Sequence, residues 1–185
     1  GCNGCSAAQG VMVQFSGTSS TGTATVNNTS TGTIGVTNGD GVVMMGYGTN
    51  ILNNDGSITS TPTGTNSMPA VLMNKAATIN NNGSITGDAA IDFAGATTPT
   101  INNNSTGTIT GNSGLAIINL GTTTGTTINN AGTITGVVQL PANGVYNFLG
   151  SGSQIGAIRF NGATGGDVYV GTNATTATTT LQGNI

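Results

Sequence analysis

A short pattern recurs five times along this chain and constrains its fold more than any other feature. Each copy begins with an aliphatic residue and two asparagines, and a glycine, a Ser or Thr and a second aliphatic residue follow. The copies VNNTSTGTIG, LNNDGSITS, INNNGSITG, INNNSTGTITG and INNAGTITG begin at Val26, Leu52, Ile79, Ile101 and Ile128. The second aliphatic residues are separated by 24, 27, 24 and 25 residues: Ile34, Ile58, Ile85, Ile109 and Ile134. A period of about 25 residues indicates a repeat architecture.

The local pattern within each repeat is that of short strands. Apolar residues alternate with Thr and Ser until Gly or Asn interrupts the run, and no 3.6-residue periodicity is sustained. One such unit cannot bury its apolar face, but coils stacked about 4.8 Å apart form a continuous aliphatic column. We therefore predict an all-β fold, a parallel β-solenoid of about seven coils over residues 21–185. Residues 1–20 are predicted to be an N-terminal segment that caps the solenoid or adds a strand to a neighbouring subunit.

The paired asparagines and the following glycines are interpreted as structural. Identical Asn side chains stacked on successive coils can hydrogen-bond along the axis, and Asn also tolerates left-handed turn conformations. The predicted structural ladder is Asn27, Asn53, Asn80, Asn102 and Asn129, with a second one beside it at Asn28, Asn54, Asn81, Asn103 and Asn130. Positive φ or close backbone approach would explain the glycines Gly32, Gly56, Gly83, Gly107 and Gly132.

Hydroxyl residues flank the second aliphatic residue and predict a regular polar face. Two outward columns are expected, made of Ser57, Ser84, Thr108 and Thr133 and of Thr59, Thr86, Thr110 and Thr135. Such a flat, uncharged face resembles the Thr arrays of ice-binding β-helices. Thr is also simply a favourable residue on exposed strands, so surface binding and a plain structural role both stay open.

The scarcity of charge excludes several classes of function. Only 4% of the residues are charged, and Lys75 and Arg159 are the only cations, so a nucleic-acid partner is excluded. No apolar run approaches the length of a membrane span. The only close pair of carboxylates is Asp88 and Asp92, and we expect Asp92 to share a column with the asparagines of neighbouring repeats. No enzyme activity and no cofactor are therefore expected.

The only two cysteines, Cys2 and Cys5, lie in the sequence Gly-Cys-Asn-Gly-Cys. No helical pattern follows them and no Lys or His is nearby to lower a thiol pKa, which argues against a redox motif. Zinc would need two further ligands and the chain has no His, so no metal site is expected. A local or interchain disulfide is the prediction.

Two segments carry a resemblance to a known family: INNNGSITGDAAIDFAG from Ile79 and INNAGTITGVVQL from Ile128. Their repeat style is similar to that of bacterial autotransporter passenger domains and haemagglutinin-like adhesins. The resemblance implies a right-handed parallel β-helix that is exported to the cell surface. It covers about residues 26–170 and concerns the architecture, not one activity.

The ends of such a solenoid predict its partner. Each end exposes unpaired backbone groups, and residues 171–185 contain no charge that would deter pairing. We therefore predict head-to-tail assembly of this chain with itself into an extracellular or cell-surface filament with a structural and adhesive role, and surfaces or glycans as further contacts. The alternative is an ice-binding or carbohydrate-binding β-helix, and a polysaccharide-degrading enzyme is the less favoured one.

Overall fold

The computed structural model describes residues 8–14, 21–46, 48–63, 68–119, 125–161, 166–170 and 180–182. Within these ranges the chain forms strands and turns and no helix. The strands are β1 (Ala8–Gln14), β2 (Thr23–Asn28), β3 (Thr33–Thr37), β4 (Gly39–Met45), β5 (Thr49–Asn54), β6 (Ser57–Thr61), β7 (Val71–Met73), β8 (Ala76–Asn81), β9 (Ser84–Phe93), β10 (Thr100–Asn103), β11 (Thr108–Ile118), β12 (Thr127–Asn130), β13 (Thr133–Pro141), β14 (Val145–Phe148), β15 (Ser153–Ile155), β16 (Ile158–Asn161), β17 (Asp167–Val170) and β18 (Thr180–Gln182).

These strands form two sheets in which neighbouring strands come from successive coils. The smaller sheet has seven strands in the order β17-β14-β12-β10-β8-β5-β2. The larger has eleven strands and follows the path β1-β4-β7-β9-β11-β13-β15-β18, with β3, β6 and β16 joined at its side. The paired strands are parallel, because each coil returns in the same direction one level further along the axis. The fold is a parallel β-helix, and the seven levels of the smaller sheet confirm the predicted architecture.

The core is the stack of aliphatic residues supplied by the repeats. Ile58, Ile85, Ile109 and Ile134 are fully buried and lie in register on adjacent strands. The first residue of the motif does the same on the smaller sheet: Leu52, Ile79, Ile101 and Ile128 are all fully buried. Because successive side chains of a strand point to opposite faces, the residues before and after each buried aliphatic residue on its strand point toward the outside.

The coils differ in length, and the differences are taken up at corners. Hydrogen-bonded asparagines on successive levels are 26, 27, 22, 27 and 18 residues apart. The two repeats with extra residues close their corner with a turn, in which Gly32 donates to the Thr29 carbonyl and Gly107 to that of Asn104, each at 2.8 Å. The insertions therefore leave the strand register unchanged.

The N-terminal segment contributes to the same solenoid. β1 pairs in parallel with β4, and Val11 and Val13 pack against the core. The described part of the segment thus adds a strand to its own chain. Cys2 and Cys5, and the disulfide predicted for them, lie outside the described residues.

One expected column has a different register. We expected Asp92 to align with Asn74, Asn119 and Asn147, but it pairs with Leu72 and Ile118. Asn147 lies instead in β14 and pairs with Asn129. The expectation was wrong because the connection after the repeated corner varies in length, so counting residues from the repeated isoleucine does not preserve the pairing.

Candidate binding surfaces: asparagine ladders and hydroxyl columns

An outer asparagine ladder runs along the exposed side of the seven-stranded sheet. Its members are the five predicted residues and one more: Asn27, Asn53, Asn80, Asn102, Asn129 and Asn147. From Asn53 onward, each amide donates from Nδ2 to Oδ1 of the asparagine one level closer to the N-terminal end, at 2.8–2.9 Å. Each internal member therefore has one N–H and one carbonyl lone pair engaged in the ladder, and its side chain is held in one orientation.

An inner ladder runs parallel to the outer one, inside the corner. Asn28, Asn54, Asn81, Asn103 and Asn130 are all buried, and each donates to the next residue in this order at 2.7–2.8 Å. The donors of this ladder point toward the C-terminal end, opposite to those of the outer ladder. Several members also donate to backbone carbonyls of the corner, as Asn103 does to Gly107 and Thr133. Buried amides paired in this way avoid the cost of an unsatisfied polar group.

The inner ladder continues through residues that the repeat did not point to. Phe148 occupies the register position below Asn130, and the Tyr146 hydroxyl takes over the hydrogen bond. That hydroxyl accepts from Asn130 at 3.1 Å and donates to Gln154 Oε1 at 3.0 Å. Burial raises the pKa of Tyr146, so the phenol stays protonated and able to donate. Gln154 is buried in the register position of Ile134. The available sequence signal was a glutamine at a position where the preceding repeat has an isoleucine.

A third, exposed ladder follows the corner and begins with a carboxylate. Asn104 donates to Asn82 at 2.7 Å, and Asn82 donates to the Asp55 carboxylate at 2.6 Å. Between this corner ladder and the outer ladder lies a polar groove of about 410 Å³. It is lined by Asn27, Asn28, Thr29, Asn53, Asp55, Asn80 and Asn82. The sequence identified the outer asparagines, but the groove requires the corner side chains to be placed beside them.

The corner glycines are explained by close approach alone. A Cβ atom at Gly56 would overlap the Gly32 carbonyl oxygen, and one at Gly83 would overlap that of Gly56. Positive φ values occur elsewhere among the described non-glycine residues, at Asn38, Lys75, Thr98 and Asn143. Neither the ladder asparagines nor these corner glycines have left-handed backbone. The close spacing of the coils explains both residue types, because it leaves no room for a Cβ at the glycines and brings asparagine side chains of adjacent levels within hydrogen-bond distance.

The predicted hydroxyl residues lie in two columns in register on the larger sheet. Ser57, Ser84, Thr108 and Thr133 form one column, which Thr33 and Ser153 extend at its two ends. Thr59, Thr86, Thr110 and Thr135 form the other, between Gly35 and Ile155. Some hydroxyls bond to each other, since Ser84 donates to Ser57 at 3.3 Å. Both columns are thus continuous over four levels. The first continues with hydroxyl residues at both ends, whereas the second ends at Gly35 and Ile155.

Two of the carboxylates are in unusual surroundings. Asp40 is buried, and its Oδ1 has no hydrogen-bond partner among the described residues. Burial raises the pKa of Asp40, and the charge of Asp92 raises it further. Burial also raises the pKa of Asp92. The structure therefore relates Asp92 electrostatically to Asp40, whereas sequence reasoning had related it to Asp88.

These carboxylates predict a protein that becomes more stable in mild acid. An aspartate whose folded pKa exceeds its unfolded value near 3.8 binds protons more readily in the folded state. The stabilisation is absent at neutral pH, appears as the pH falls through the raised pKa, and is complete below the unfolded value. Asp40→Asn should therefore raise the urea midpoint at pH 7 and flatten its pH dependence. Denaturation followed by circular dichroism measures this, and a wild-type midpoint that falls between pH 7 and pH 4 would contradict it.

The fold and its polar columns define the chain as a parallel β-solenoid protein with internal asparagine ladders. Comparison with protein-family models, with curated proteins and with solved structures gives no match. Among the described residues, none forms a helix with the length and apolar character needed to cross a membrane. The same part of the chain contains no group of three or more His, Cys, Asp or Glu side chains arranged to hold a metal ion.

Proposed function

We propose that this chain is an exported structural and adhesive β-solenoid protein that forms, or belongs to, an extracellular or cell-surface filament by head-to-tail stacking. One observation carries the proposal. Among the described residues, both sheets end in strands paired on one side only: β1, β2 and β3 at one end, β16, β17 and β18 at the other. Unpaired strand edges are templates for further pairing, and charged residues normally protect them. These six strands contain only two charged residues, Arg159 and Asp167.

Head-to-tail stacking preserves the internal order of the coils. A second copy placed on the end continues parallel pairing and the columns of like side chains, whereas a reversed copy breaks both. The resemblance of the repeats to autotransporter passenger domains supports export and a place at the cell surface. The Thr-rich exterior suits an adhesive role because it offers hydroxyl groups without charge.

The outward column of the smaller sheet provides a test of polarity. It runs in register through Thr25, Ile51, Thr78, Thr100, Thr127, Val145 and Asp167. Thr25 lies on one edge strand and Asp167 on the other. Head-to-tail stacking in continued register brings Thr25 of one copy beside Asp167 of the next, whereas head-to-head pairing brings two copies of β2 together.

We expect Thr25→Asp to weaken stacking at low ionic strength. Like charges directly opposite each other on adjacent strands cost up to about 1 kcal/mol, which is roughly a fivefold rise in the critical concentration for assembly. Adding Asp167→Lys to Thr25→Asp should restore assembly. The matched control is Thr100→Asp, which places the same charge in the same column but away from the edges.

Light scattering and electron micrographs measure these effects. Wild-type protein should form filaments with an axial repeat on the order of 34 Å, the height of seven strands at their usual spacing. Short rods of uniform length at high protein concentration would refute the filament. Filaments that Thr25→Asp weakens but Asp167→Lys does not rescue would refute the head-to-tail polarity.

Ice binding is a second candidate function, favoured by the two continuous hydroxyl columns. Their regular spacing offers the repeated hydrogen-bonding positions that a crystalline water surface requires. A thermal hysteresis assay of the purified protein tests this candidate, and the absence of any effect on ice growth removes it.

A further inference from the structure

The polar groove between the outer and corner ladders has the features of a binding site for an elongated ligand. Its volume of about 410 Å³ falls in the range of small-molecule sites. Three of its lining residues, Asn27, Asn53 and Asn80, lie on three successive levels of the solenoid. The groove therefore extends along the axis and presents the same chemical group once per level.

The asparagine amides of this groove are preorganised and keep free hydrogen-bonding capacity. A primary amide has two N–H donors and two acceptor lone pairs, and the ladder engages one of each at Asn53 and Asn80. Each of these residues keeps the capacity to donate and to accept one further hydrogen bond. Because the ladder already holds their orientation, little side-chain entropy is lost when a ligand binds.

The charge of the groove selects the chemical class of the ligand. Its only ionisable residue is Asp55, whose Oδ1 accepts from Asn82. No Lys or Arg lines the groove, so this carboxylate repels phosphate, sulfate and uronate groups, and the amide lining offers little to an apolar ligand. Neutral molecules that present adjacent donors and acceptors at regular intervals remain. An extended sugar chain has this property, since each ring presents hydroxyl groups over a length close to the strand spacing.

We propose that this groove binds a neutral polysaccharide chain lying along the solenoid axis, with Asn27, Asn53 and Asn80 contacting successive sugar rings. The inference deepens the adhesive part of the proposed function, on which it rests for the presence of such a polymer outside the cell. It does not depend on stacking, because the groove lies within one chain.

Isothermal titration calorimetry with soluble polymers tests the inference. The probes are xylan, mannan and hydroxyethyl cellulose as neutral chains and polygalacturonate as an acidic one. Wild-type protein should bind at least one neutral polymer and bind polygalacturonate more weakly. Asn53→Ala should weaken neutral binding by roughly tenfold, the effect of about one good hydrogen bond to the ligand.

Asn129→Ala is the matched control. Like Asn53, Asn129 donates one ladder hydrogen bond and accepts one, but it does not line the groove. It should leave affinity within about twofold of wild type, since no ligand contact is lost. Asp55→Asn keeps an acceptor for Asn82 and should improve binding of polygalacturonate. No binding of any neutral polymer, equal losses in the two alanine variants, or tighter wild-type binding of polygalacturonate would overturn the inference. Because calorimetry counts sites per chain, these outcomes are independent of filament formation in micrographs.

Discussion

Replacing Asn103 with leucine is expected to lower the free energy of unfolding by about 4 kcal/mol, because two buried ladder partners lose their hydrogen bonds. Asn103 is 1% exposed, accepts from Asn81 and donates to Asn130. Leucine has the same branching and the same number of side-chain heavy atoms as asparagine, so the variant creates no large cavity and removes the polar contacts. Each unpaired buried group costs about 1–3 kcal/mol in the interior.

The neighbouring residue supplies the control for this prediction. Asn102 belongs to the outer ladder, where it also donates once and accepts once. Its partners are only partly buried and can bond to water, so Asn102→Leu should cost less than about 1 kcal/mol. Urea denaturation followed by far-ultraviolet circular dichroism measures both variants. Equal losses at the two positions would show that burial of the inner ladder does not govern its contribution.

Replacing Gly83 with alanine is expected to lower the free energy of unfolding by about 3 kcal/mol, because the added Cβ has no space. It would overlap the carbonyl oxygen of Gly56 and lie 2.7 Å from the carbonyl carbon of Asp55. Both are backbone atoms of the adjacent coil, so relief requires the coils to separate locally. The separation would also strain the hydrogen bond from Ser84 to the Gly56 carbonyl, which is 2.8 Å long.

Gly35 is the control for the glycine prediction. A Cβ built there meets no atom within 4 Å, so Gly35→Ala should change stability by less than about 0.5 kcal/mol. Thermal and urea unfolding of the two variants compare the effects directly. A Gly83→Ala variant as stable as wild type would show that the coils can separate without cost, contrary to the close packing of the corner.

Both predictions concern the contact between one coil and the next, which is where this fold is stabilised. In the described part of the chain, the strands pair only with strands of neighbouring levels. The stability of a solenoid is approximately a sum of such interfaces. A substitution at one corner therefore affects only the two interfaces of the coil that carries it, and it weakens both.

The scarcity of charge fits this arrangement. Stacked identical residues would place like charges one strand spacing apart, where they repel. The one ladder that contains a charge shows the compatible solution, since the Asp55 carboxylate accepts from the Asn82 amide. The buried Asp40, in contrast, lies where its charge is unfavourable at neutral pH.

The sequence alone determined the fold class, the aliphatic columns and the residues that follow one another on successive levels. It could do so because the same motif occurs on each of these levels: wherever an aliphatic residue is followed by two asparagines, the alignment of the repeats is also the strand register. Ile79 pairs with Ile101, and Asn80 with Asn102, as the repeats align.

Only the tertiary structure decided what happens where the motif is interrupted. The pairing of Asp92 with Leu72 and the extension of the inner ladder through Tyr146 and Gln154 depend on loops of unequal length. In a solenoid each strand pairing joins residues about one coil apart, so the length of each loop sets which residues pair. Where the motif is repeated, the spacing of its copies gives the coil length directly. Where the motif changes, the coil length is known only from the tertiary structure.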